Sequence, residues 1–143
     1  MCANEHGAAV CWGQNTSGQL GDGTKDKSIT PVSVSGLTDI VSLSAGAEHT
    51  CAITTSGEAK CWGKNLYGRV GDGSNTRIIP SPVTVEGLDT GVMAISLGNE
   101  HTCAITKGGS VKCWGNNGFG ELGDNTTRNK NRPTDVTGLA TGI

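Results

Sequence analysis

Apolar residues fall in short runs along this chain. Ile40-Val41-Ser42-Leu43-Ser44-Ala45-Gly46 is one run, and Met93 to Gly98 is another. Nowhere does a helical period persist over the roughly 11 residues that would mark an amphipathic helix. The runs are partly alternating and are bounded by Gly, Pro, Asn and Asp, residues that open turns. This pattern predicts strands joined by tight turns.

The runs recur. Trp12, Trp62 and Trp114 are spaced by 50 and 52 residues, and Leu37, Leu88 and Leu139 by 51 each. One unit opens with an apolar run ending in Gly and continues through Glu-His-Thr-Cys. A turn, a Cys-Trp-Gly segment and Asn-x-x-Gly-x-(Leu/Val)-Gly-Asp follow. A polar loop then leads to Pro-x-x-Val-x-Gly-Leu. Three or four short strands in each unit of ~51 residues point to an all-β repeat array of the β-propeller kind. The units fall at about 1–39, 40–91 and 92–143, forming one array.

Register supports the hairpin in each unit. With Cys51 opposite Cys61, Thr55-Ser56-Gly57 is left as a turn; with Cys103 opposite Cys113, Lys107-Gly108-Gly109 is left. In the first unit the cysteines are one residue closer, and Cys2 opposite Cys11 leaves only His6-Gly7. The shorter spacing is absorbed by a shorter turn, so the cysteines stay opposed. Opposed positions bring Cβ atoms about 4.5–5.5 Å apart, close to what a disulfide requires. The expected pairs are Cys2–Cys11, Cys51–Cys61 and Cys103–Cys113. Such pairs imply an oxidising compartment: extracellular, periplasmic or cell-surface. Free buried thiols, which would fit the cytoplasm, are the alternative. A zinc site needs closer Cys or His pairs than these.

The pattern GxxHTCAITxxGxxKCWGxNxxGxLGDG resembles the repeat of the regulator of chromosome condensation family. With its Pro-x-x-Val-x-Gly-Leu extension the likeness covers essentially the whole chain. It implies β-propeller blades of a family best known for a seven-bladed ring. The paired cysteines are not part of the general family pattern, and fewer than three full units are present here. The chain begins at the hairpin of its first unit, without a leading strand. It is expected either to be a piece of a longer propeller or to complete itself by association, as a ring or a head-to-tail filament.

Composition narrows the functions. Eleven basic residues against thirteen acidic ones give a formal net charge of −2. That balance argues against nucleic acid as a partner. The one loose basic group, Arg128, Lys130 and Arg132, reads as a solvated loop. No apolar run approaches the ~20 residues of a membrane helix, so membrane insertion is not expected. The N-terminal MCANEHG has neither the basic region nor the apolar core of a signal peptide.

Candidate chemistry is sparse. His49 and His101 recur at one position, which suits a structural side chain bonding a turn rather than a catalytic group. Asp22, Asp72 and Asp124 suit turn-stabilising carboxylates, as Asn15, Asn65 and Asn117 suit turns. Asn15 and Asn125 each begin a glycosylation acceptor triplet in a polar turn expected to be accessible. The tryptophans are expected in the core between blades. No catalytic set, metal site or cofactor site stands out. The expected function is a non-enzymatic scaffold for protein–protein interaction or extracellular assembly. Contacts are expected in the loops Thr24–Thr30, Ser74–Ser81 and Thr126–Arg132. The alternative, implied by the resemblance, is guanine-nucleotide exchange on a small GTPase.

Overall fold

The computed structural model describes residues 1–139. They form three antiparallel sheets in which each strand pairs with its sequence neighbours. The first sheet holds β1 (Cys2–Glu5), β2 (Ala8–Gly13) and β3 (Ser28–Ser33). The second holds β4 (Ile40–Ala45), β5 (His49–Thr54), β6 (Ala59–Lys64) and β7 (Ile78–Thr84). The third holds β8 (Val92–Leu97), β9 (His101–Thr106), β10 (Val111–Gly115) and β11 (Lys130–Asp135). Each sheet is a blade. The first has three strands among the described residues, because β1 and β2 correspond to β5 and β6.

The hairpins follow the expected register. Cys2 faces Cys11, Cys51 faces Cys61 and Cys103 faces Cys113. In each pair the sulfurs stand at disulfide distance and the Cα atoms 4.1 Å apart. The short turn works because His6 and Gly7 both take positive φ, 55° and 91°, as a two-residue hairpin turn of matching twist demands. The leading strands β4 and β8 each carry a bulge, between Ile40 and Ser42 and between Val92 and Ala94. The extra residues, Val41 and Met93, are left exposed.

The apolar residues are buried between blades. Trp62 packs with Leu20, Leu37, Val34 and Ala9 of the first blade. Trp114 packs with Val70, Val85 and Leu88 of the second. A thin sheet has two faces to cover, so each blade is finished by its neighbour.

The polar loops are shorter than expected, because their last residues enter the outer strands. Ladder pairing begins at Ser28 opposite Gly13, Ile78 opposite Lys64 and Lys130 opposite Gly115. An outermost strand keeps one edge in water, so its polar sequence disguises it. Lys130 and Arg132 therefore belong to β11, and of the basic group only Arg128 lies in a loop.

Candidate interaction surfaces

A buried asparagine builds the turn after each Cys-Trp-Gly strand. Asn65 Oδ1 accepts from Val70 N at 2.9 Å, while its Nδ2 donates to Thr76 O at 2.8 Å. Asn15 and Asn117 repeat this with Leu20 and Leu122. The aspartate then closes the next turn: Asp72 Oδ1 accepts from Ser74 N at 3.0 Å and from Ser74 Oγ at 2.8 Å. Hydrogen bonds from Thr126 and Asn117 hold the Asp124 carboxyl below its ordinary pKa.

This turn is the male half of the joint between blades. At the first joint a Cβ added at Gly21 would stand 2.6 Å from Trp62 Nε1, and one at Gly18 2.7 Å from Pro80 Cα. At the second, a Cβ at Gly71 would stand 2.4 Å from Trp114 Nε1, and one at Gly68 2.4 Å from Asn131 Cα. Only glycine lets the backbone lie this close on the ring and on the outer strand. Trp62 Nε1 donates to Gln19 O at 3.0 Å, but the equivalent Trp114 Nε1 is buried without a partner.

The second joint has a polar centre. Thr102 donates to Arg69 O at 2.8 Å, so the His49 Nε2 3.0 Å from Thr102 Oγ1 is the protonated nitrogen. This is a bond between blades, where a bond to a turn was expected. His49 is fully buried and its Nδ1 has no partner. Burial pushes its pKa down to about 3, with Arg69 adding to the effect. Arg69, itself buried, donates to Asn99 O at 2.9 Å and to Leu66 O at 3.1 Å. Glu100 Oε1 lies 3.8 Å away. Gln19 and Glu121 hold the equivalent positions in the first and third blades. Both turn back on their own loops, accepting from Ser17 N and Phe119 N.

The two end faces carry half-joints. On the third blade nothing would lie within 4 Å of a Cβ at Gly120, and at Gly123 the neighbour is Val136 of the same blade at 3.0 Å. Beside them Phe119 is 96% exposed. Leu139 is 36% exposed, where its counterparts Leu37 and Leu88 are 1% and 2%. On the first blade Trp12 is only half-buried, whereas Trp62 and Trp114 are 0% exposed. The tryptophans were expected between blades, and for Trp12 no neighbour supplies the second wall among the described residues.

On the rim of the second joint lies a groove of about 570 Å³. The second blade lines it with Tyr67, Asn75 and Arg77, and the third with Asn129, Lys130 and Arg132. The expected glycosylation positions part company. Asn125 is exposed, but Asn15 is buried, with its Nδ2 donated to Thr24 O and Asp26 O at 3.0 Å each. The turn frame needs the Asn15 amide, which is why a polar turn did not make it accessible. Sequence reasoning missed the groove and Arg69. The departure of Arg69 from Gln19 and Glu121 at one repeat position was the available signal.

The geometry defines a class: antiparallel blades of three or four described strands, joined at both internal joints by a glycine ledge laid on the next blade's tryptophan. Residues 6–53 and 56–105 match the Regulator of chromosome condensation (RCC1) repeat. The chain belongs to this family. It is 35% identical over 142 residues to E3 ubiquitin-protein ligase HERC2 of Homo sapiens, covering 97% of this chain and 3% of that protein. It is 34% identical over 132 residues to the Ultraviolet-B receptor UVR8 of Arabidopsis thaliana, covering 85% of this chain and 30% of that one. Among solved structures, yeast RCC1 (Prp20), crystallised with Kap60, superposes with a TM-score of 0.80 at 21% identity. That match takes in 96% of this chain and 35% of the other. The chain thus spans about a third or less of these proteins.

Proposed function

We propose that this chain is a non-enzymatic β-propeller scaffold for protein–protein interaction, working in an oxidising compartment, with its end faces covered either by further blades of a longer propeller or by a second copy of itself. The half-joints carry the reading. The third blade offers the open ledge Gly120–Gly123 and the first offers the half-buried Trp12, the two halves of a joint that the chain builds twice internally. A head-to-tail contact of this kind is heterologous, and it closes into a ring or runs on as a filament. Protein binding is in keeping with the family: the yeast Prp20 structures concern Kap60, Gsp1p and histones. Guanine-nucleotide exchange rests on family likeness alone. The opposed cysteines, closed as disulfides, support an extracellular, periplasmic or cell-surface setting.

Light scattering on the purified native protein tests the assembly. A concentration-dependent oligomer is expected, and Gly120→Asn is expected to dissociate it while leaving the melting temperature nearly unchanged. Asparagine tolerates the left-handed backbone there, φ +78°, yet its side chain would collide with a docked outer strand. A parent protein that stays monomeric at high concentration ends the self-assembly reading. Thiol titration of unreduced, denatured protein tests the compartment: no free thiols are expected, and six would sink it.

A further inference from the structure

The two joints share a frame but differ on the rim. At the first joint the outer strand presents Ile79, Pro80 and Ser81; at the second, the matching ladder positions hold Lys130, Asn131 and Arg132. Across the groove from these, the second blade contributes Arg77, which is exposed and makes no ion pair among the described residues. Lys130 and Arg132 are only loosely met, by Asp124 and Glu86, each at 3.5 Å. Three cations thus line one wall-to-wall groove in a chain whose net charge is −2.

The backbone departs from the repeat at the same place. Tyr67 sits in the left-handed region, φ 64° and ψ 9°, within a short 3-10 turn over Leu66–Gly68. Its counterparts Ser17 and Phe119 do not take positive φ. For a bulky residue this conformation costs free energy, and outliers of this kind gather at binding sites. The turn leaves the Tyr67 ring 40% exposed on the groove wall. Asn75 and Asn129 also face the groove, with no hydrogen bond from either Nδ2 among the described residues.

We propose that this groove binds an acidic peptide segment of a protein partner. Arg77 and Arg132 would take side-chain carboxylates, for which the planar guanidinium is suited. The free amide donors of Asn75 and Asn129 would meet peptide carbonyls, and the Tyr67 ring would pack on an apolar side chain between the acidic ones. A peptide suits the groove better than a uniform polyanion does, because Asp124 and Glu86 stand among the cations and repel a continuous run of negative charge. The proposal rests on the reading of the chain as a protein-interaction scaffold, but it uses the rim and not the end faces. Gly120→Asn and the groove variants therefore fail separately.

The test is fluorescence anisotropy with a fluorescein-labelled eight-residue peptide of alternating glutamate and phenylalanine, titrated with the whole chain. Saturable binding is expected. Arg77→Ala and Arg132→Ala should each weaken it about tenfold, the usual effect of losing one charge-assisted bond. Tyr67→Gly should weaken it several-fold while melting no lower than the parent, since glycine accepts the backbone angle without strain. That pairing separates binding from folding. The proposal is overturned if the all-glutamine counterpart binds equally well, if the arginine variants bind unchanged, or if no binding is seen. It is also overturned if heparin saturates the groove while the peptide does not, which would mark a site for sulfated saccharide.

Discussion

Gly68 and Gly120 occupy the same position of the repeat, with nearly the same backbone angle, φ +79° and +78°. One is walled in by the outer strand of the next blade; the other faces open space. The comparison separates two roles that a repeat merges. Left-handed backbone is needed to make the turn in either place. The missing Cβ is needed only where another blade arrives. The tryptophans teach the same lesson, since Trp114 is buried by the ledge that Trp12 lacks.

The largest effect should come from the tryptophans. Trp114→Ala should cost about 3–5 kcal/mol in urea unfolding, the usual range for a buried aromatic, and Trp12→Ala markedly less. Equal costs would mean that Trp12 is covered in solution, and that gap should narrow in the assembled state. Next come the glycines. Gly68→Ala should destabilise the chain by about 3 kcal/mol more than Gly120→Ala, since both pay for the backbone angle but only the first collides. Shifts of equal size in the two melting temperatures would break the comparison.

A smaller effect belongs to the polar centre of the second joint. The His49 pKa is depressed from 6.5 to about 3 in the folded state, so between these values the unfolded chain binds the extra proton. Stability should therefore be full above pH 6.5 and fall with acidification, by about 2 kcal/mol at about pH 5. His49→Gln, which keeps a donor for Thr102, should flatten this slope. An unchanged slope in that variant would remove His49 as its cause. The smallest effect is a control within one blade. Lys112 Nζ and Asp135 Oδ1 are 2.7 Å apart on a partly exposed surface, and Lys112→Ala should cost under about 1 kcal/mol.

Much of the fold is legible in the sequence. The hairpins were readable because turn length and strand register are local, so one missing residue in the first unit predicted a His6-Gly7 turn. The outer strands were harder, because β3, β7 and β11 pair late, after a polar loop, and keep an edge in water. Asn15 misled for a related reason: its triplet looks like an exposed turn, but its amide is used up inside that turn. His49 was readable as structural, and its partner was not, since Thr102 lies 53 residues away in the next blade.

The repeat, the strands and the facing of the cysteines follow from residue order alone, because period-two alternation and turn chemistry act over a few residues. The stacking of the blades settled which copy of each residue is buried. Near-identical segments meet different neighbours, so Leu37 is covered and Leu139 is not. It also brought Arg77 beside Lys130 and Arg132, residues of separate repeats that no local pattern connects. A repeat encodes one joint many times over; stacking decides where a joint closes, where it stays open and what gathers along its rim.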